Sequence, residues 1–179
     1  MGKTYQQIDT GLAEWIQARE MFFVSTAPLS KDGFVNCSPK GLDTFRIIDP
    51  LTVGYVDLAG SGIETAAHLN ENGRIVIMFC AFNGPPKIVR LHGTGEYVLA
   101  GTDAYRRLTE TFGDNRGARG IVKVSLTRIS DSCGYGVPKL EYTGQRETLV
   151  KWADKKSDEE LVAYVREKNH QSIDGLPGI

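Results

Sequence analysis

The sequence predicts an α+β barrel, mainly β, on three observations. Six or seven β-prone runs occupy roughly residues 20–130. Helical segments are inserted between them and appended after them. The strands do not alternate regularly with helices, as βαβ units would require.

The elements read as follows. Asp9 or Thr10 caps a short helix whose Leu12, Trp15 and Ile16 share one face. Met21–Ala27 is strand-like, Asp32-Gly33 signals a turn, and Phe34–Ser38 resumes as a strand, giving a hairpin. Phe45–Ile48 and Thr52–Val56 flank Asp49-Pro50 as a second pair. After Gly60-Ser61-Gly62 the pattern turns helical and stops at Asn72-Gly73. Arg74–Phe82 is the most apolar run and is expected to be buried on both faces. Lys87–Leu99 is a long strand in which Gly93 and Gly95 suggest a bulge. A helix from Thr102 to Phe112 closes at Gly113, and Asp114–Gly120 reads as a loop before the strand Ile121–Ile129. Helices over Glu147–Lys155 and Asp158–Asn169 precede a polar, turn-rich tail. The whole is expected to be one domain, 1–179, with a barrel over about 20–130 and a helical extension over about 145–179.

Composition narrows the function classes. Twenty-one basic and 22 acidic residues give a net charge of −1, which offers no electrostatic reason to expect nucleic acid or membrane binding. No segment approaches the roughly 20 apolar residues of a membrane span, and the first twenty residues hold no apolar signal core. Cys37, Cys80 and Cys133 are odd in number and far apart, so neither a disulfide framework nor a zinc site is expected; a reducing cytoplasm is the simplest reading. Cys133, in a glycine-punctuated turn, reads as a small buried residue, the alternative being an exposed redox thiol.

No familiar catalytic constellation is present: no GxSxG, no HExxH and no phosphate loop ending in Lys-Ser/Thr. His68, His92 and His170 are scattered and read as structural or solvated. Two segments carry candidate chemistry. In Val35-Asn36-Cys37-Ser38-Pro39-Lys40-Gly41, Pro39 is expected to interrupt strand pairing, because proline cannot donate to a ladder. The freed backbone can approach a flat ligand and Lys40 can attract an anion; alternatively this is a plain strand end with an exposed lysine. In Gly60-Ser61-Gly62-Ile63-Glu64-Thr65 a strand passes through glycines into a helix start, a natural seat for phosphate. Alternatively Ser61 or Gly62 merely caps that helix and Glu64 complements its dipole.

The order of these features resembles the pyridoxamine 5′-phosphate oxidase-like FMN-binding split-barrel superfamily from about Phe22 to Ile129. The Ser132-Cys133-Gly134-Tyr135-Gly136-Val137-Pro138 segment looks like the signature of an uncharacterised oxidase-related subgroup, and not like the C-terminal Arg/Trp segment of true pyridoxamine phosphate oxidases. The resemblance implies a six-stranded antiparallel split barrel with flanking helices, homodimeric, with FMN held between subunits. It implies cofactor contacts at Asn36, Cys37, Ser38, Pro39, Lys40, Ser61, Gly62, Thr65 and Arg90. The catalytic residues stay unassigned, and no metal site is implied.

The family binds the flavin phosphate through a strand Arg, a Lys at that strand's end and an Arg-Lys pair opening the next helix. Here the first Arg position falls near Asn36, the lysine at Lys40 and the pair at Glu64-Thr65, while the family's glutamine falls near Ile88. A carboxylate in place of an Arg removes attraction and adds repulsion toward a phosphate carrying nearly two negative charges. Lys40, Arg46, Arg90 and the Ser61-Gly62 backbone are the candidates to compensate. Two functions follow: an FMN-dependent oxidoreductase acting on a small-molecule substrate, or a non-catalytic or differently liganded split-barrel binding protein (haem, a deazaflavin or pyridoxal phosphate) that has lost the FMN site.

Overall fold

A computed structural model of the chain describes residues 2–179. Its strands are β1 (Thr4–Tyr5), β2 (Phe22–Thr26), β3 (Asn36–Lys40), β4 (Phe45–Asp49), β5 (Thr52–Leu58), β6 (Arg74–Cys80), β7 (Ile88–Leu99) and β8 (Ala118–Ser132). They form one antiparallel sheet in the order β3-β2-β6-β7-β8-β5-β4, with β1 attached to β8. The helices are α1 (Thr10–Gln17), α2 (Glu64–Asn72), α3 (Asp103–Phe112), α4 (Thr148–Asp154) and α5 (Asp158–Lys168).

The α+β, mainly antiparallel architecture is as the sequence predicts. The strand count is not six but eight. Seven are the β-prone runs, and β1 is a two-residue pairing too short to leave a periodic signal.

The sheet curls on itself. Phe45 of β4 packs 5.4 Å from Phe22 of β2 and 5.0 Å from Phe79 of β6, between ring centroids. The core inside the curl is built from alternate residues of the strands, among them Val24, Val53, Tyr55, Ile77, Val89, Leu91, Val122 and Val124. The end strands β3 and β4 are not neighbours in the sheet, which leaves it split along their edges.

Three local expectations need correction. Pairing is not interrupted at Pro39, which sits opposite Phe23 in a continuous β2–β3 register. β3 is the outermost strand, and an edge strand leaves alternate N–H groups without partners, which is where proline is tolerated. β6 is buried on one face only: Ile75, Ile77 and Phe79 are inside, while Val76 and Met78 are half-buried. The Asp114–Gly120 loop ends early, because β8 already begins at Ala118 and passes a register shift opposite Asp57 and Leu58.

Other expectations hold. The ladder between β7 and β8 shifts register between His92 and Gly93. A Cβ on Gly93 would lie 2.3 Å from the Ser125 carbonyl, so no side chain fits there. Helix α2 stops at Gly73, whose φ of +71° is the left-handed conformation that glycine adopts without strain. Its start differs, since Ile63 occupies the N-cap without a side-chain hydrogen bond, so neither Ser61 nor Gly62 is the cap.

After α5, which opens on a Ser157/Glu160 capping box, the tail folds into a closed strap. Ser172 N–H donates to the Leu176 carbonyl at 3.0 Å, Gly178 N–H to His170 at 2.9 Å and Ile179 N–H to Asn169 at 2.9 Å. Among the described residues, no helix is long and apolar enough to cross a membrane.

Candidate functional site

A slot of about 390 Å³ opens beside the free edge of β3. One wall is Asn36, Ser38, Pro39 and Lys40; the opposite wall is Gly60, Gly62, Glu64 and Thr65, where β5 runs out into α2. The two segments singled out in the sequence therefore face each other across one cavity.

Of the nine cofactor candidates, Asn36, Ser38, Pro39, Lys40, Gly62 and Thr65 line the slot. Cys37 is not among the lining residues, and its thiol is exposed. Ser61 is exposed and lies outside the lining. Arg90 sits on β7 and donates to Ser132 Oγ at 3.0 Å, away from the slot. Arg46, a candidate to compensate for the missing Arg-Lys pair, is turned to Asp43 at 3.0 Å. Cys133 is exposed rather than buried.

The floor of the slot is ionic. Asp57 is 1% exposed, and its carboxylate is shared by two cations: Lys40 Nζ at 3.2 Å from Oδ1 and Arg119 Nε at 2.8 Å from Oδ2. The Tyr97 hydroxyl donates to Oδ2 at 3.2 Å. Burial by itself would raise the Asp57 carboxyl, but the Lys40 and Arg119 charges outweigh it and hold it below the usual carboxylate range. Burial likewise opposes charge on Arg119, and the Asp57 carboxylate more than restores it. Burial and the adjacent Asp57 charge raise the Tyr55 and Tyr97 phenols, so both are neutral. The Tyr55 hydroxyl is buried among these groups without a hydrogen-bond partner.

Two cations on one buried carboxylate leave one positive charge in excess, and both Lys40 and Arg119 line the slot. Glu64 opposes this from the far wall. Its carboxylate folds back over Gly62, where an added Cβ would lie 2.5 Å from Oε2. Its other oxygen accepts from Ile173 N–H at 3.4 Å. The start of α2 is thus approached by the chain's own carboxylate, and the free cationic donors lie on the floor instead.

A polar network braces the β3 wall. Asn36 Nδ2 donates to Thr26 Oγ1 at 3.1 Å and to Thr65 Oγ1 at 3.0 Å, and Ser38 Oγ donates to Asn36 Oδ1 at 3.0 Å. Behind it, Thr26 Oγ1 lies 2.9 Å from Nδ1 of His68, which is fully buried, and His68 Nε2 lies 3.3 Å from Asp174 Oδ2. This Thr-His-Asp array is not a nucleophilic triad: Thr26 is 4% exposed and outside the slot lining. Among the described residues, no group of His, Cys, Asp and Glu is placed to hold a metal ion.

The model of the pyridoxamine 5′-phosphate oxidase family matches residues 8–133. The chain belongs to this family. A family protein of Aspergillus flavus, ustO, is 36% identical over 192 aligned positions, covering 98% of this chain and 77% of the relative. Among solved structures, HupZ of Group A Streptococcus has a TM-score of 0.53 at 22% identity, covering 70% of this chain and 99% of that one. A candidate pyridoxamine 5′-phosphate oxidase of Lactobacillus delbrueckii has a TM-score of 0.54 at 12% identity, covering 71% and 98%. These structural likenesses speak for the pyridoxamine 5′-phosphate oxidase-like split-barrel fold.

Within that family frame, sequence reasoning missed Asp57 and Arg119. Asp57 had a readable signal, because a carboxylate inside the apolar strand Thr52–Leu58 requires a cationic partner when buried. Arg119 had none: it lies among glycines in a stretch that reads as loop, and only the start of β8 at Ala118 turns it onto Asp57.

Proposed function

We propose that this chain is an FMN-binding flavoprotein that acts as an oxidoreductase on a small-molecule substrate and works as a cytoplasmic homodimer. The observation that carries the reading is the excess positive charge at the floor of the slot, where Lys40 and Arg119 share Asp57. Lys40 keeps ammonium donors free beyond its single carboxylate contact, and Ser38 and Thr65 place hydroxyls on facing walls. The ammonium and the two hydroxyls suit a phosphorylated, hydroxyl-bearing ligand; Glu64 is the one group against it.

Bound FMN would supply the two-electron chemistry, which explains the lack of a catalytic dyad. The chain's own residues hold and orient the ligand and exclude water. An adjoining apolar cleft of about 640 Å³ shares Pro39, Lys40, Gly41, Leu42 and Leu149 with the slot and is walled by Phe82, Leu140, Tyr142 and Trp152. It is suited to the apolar part of a substrate. The dimer reading is supported by Phe34 and Val35, which are 62% and 73% exposed side by side at the entry to β3.

The alternative reading, a slot for haem, a deazaflavin or pyridoxal phosphate, is favoured by Glu64 alone. The visible spectrum of the purified protein, and of protein given FMN, tests the first reading. A bound-flavin spectrum with micromolar or tighter affinity is expected. A folded protein that binds no FMN but is stabilised by a ligand of the second group would replace it.

A further inference from the structure

The C-terminal strap, 169–179, is not a loose end. Asn169 is fully buried and donates through Nδ2 to the Gly60 carbonyl at 2.9 Å, on the slot wall, while its Oδ1 has no partner. Asp174 accepts Phe34 N–H on Oδ1 at 2.9 Å and faces His68 Nε2 with Oδ2. The strap thus grips both segments that make the slot.

The direction of each hydrogen bond follows from counting protons. A neutral His68 must carry its ring proton on Nε2, because a bare Nε2 would set a lone pair against the Asp174 carboxylate. Nδ1 is then an acceptor and takes the single proton of Thr26 Oγ1, which leaves that oxygen to accept from Asn36 Nδ2. With Nδ2 turned to Thr26 and Thr65, Asn36 presents Oδ1 to Ser38. Ser38 spends its one proton on that oxygen and is left with lone pairs only. With the ring proton on Nε2, every proton in the chain has a place.

We propose that the strap is a positioning element of the slot: Asp174, acting through His68, Thr26 and Asn36, holds Ser38 as a hydrogen-bond acceptor for the ligand. The group recognised at Ser38 is therefore a donor, a polyol hydroxyl or an imide N–H, and not a phosphate oxygen. The binding arm of the test rests on the flavin reading given above.

The test is a double-mutant cycle in the full chain: Ser38→Ala, Asp174→Ala and both together, with FMN affinity read by flavin fluorescence below the melting point of every variant. Each single substitution is expected to weaken FMN binding by about threefold to tenfold, and the double by no more than Ser38→Ala alone, because both remove one interaction. Unchanged affinity in Asp174→Ala, or fully additive losses, would overturn the proposal even if its melting temperature falls. If Asp174→Ala does not fold, the near-isosteric Thr26→Val enters the same cycle with the same expectation. The flavin-free protein supplies an independent arm by NMR. The Asn36 side-chain amide should be protected from exchange in the wild type and exposed in the strap variant, with His68 protonated at Nε2. A wild type that binds no FMN but gives this NMR result loses the flavin reading and keeps the strap; a wild type with an unprotected Asn36 amide loses the strap.

Discussion

Arg119 Nε lies 2.8 Å from Asp57 Oδ2, and this contact joins the first residues of β8 to the end of β5 across a register shift. Lys40 brings the edge strand β3 to the same carboxylate from the other side, at 3.2 Å. Through these two cations the buried anion ties β3, β5 and β8 together at the floor of the slot, and the cations are the groups that line it.

Because Asp57 is shared, Asp57→Asn should be among the more damaging single substitutions. It leaves two cations without their carboxylate in a buried place, a change that costs about 3–5 kcal/mol. Urea unfolding measures it. The pH dependence has a definite sign: a carboxyl held low in the folded state contributes full stability above its unfolded value, about 3.9, and loses it as pH falls through the lower folded value. The wild type should lose stability below about pH 4 more steeply than Asp57→Asn.

Lys40 separates phosphate binding from ring binding. Lys40→Ala should weaken FMN by roughly ten- to hundredfold, the range of one charge-assisted hydrogen bond, and riboflavin by less than about threefold. Arg119 keeps Asp57 paired in this variant, so the fold should persist. Equal losses for both flavins would place the phosphate elsewhere.

Glu64 should act in the opposite sense. Glu64→Gln retains an acceptor for Ile173 N–H while removing a negative charge from the slot wall. FMN should then bind about three- to tenfold more tightly, riboflavin unchanged, with the gain shrinking as salt rises. No gain in FMN affinity at low salt would count against a phosphate near α2.

Val35 tests the assembly. Sedimentation should give the wild type twice the 19.7 kDa of one chain, and Val35→Asp should shift it to the monomer with its fold intact by circular dichroism. A monomeric wild type would remove the homodimer.

The legible parts of the sequence were those governed by local geometry. Runs of β-prone residues marked β2 to β8, and Gly73 and Gly113 stopped their helices as expected, because residue preference and a positive φ are properties of a residue and its neighbours. The two wall segments of the slot were legible for the same reason: a proline at a strand end and glycines at a helix start are local signals. Pro39 was misread because whether a strand is an edge depends on every other strand. That Cys37 falls outside the slot lining while Asn36 and Ser38 line it is likewise decided by how the sheet curls.

By itself, the sequence determined the class of fold, the run of strands and helices, and the two short segments that face each other. Only the tertiary structure decided the charges between them. Asp57 and Arg119 are 62 positions apart, and Asp174 and His68 are 106 apart. No spacing rule links residues so distant, since their meeting depends on sheet register and on how the tail packs, and both are set by burial of the whole core.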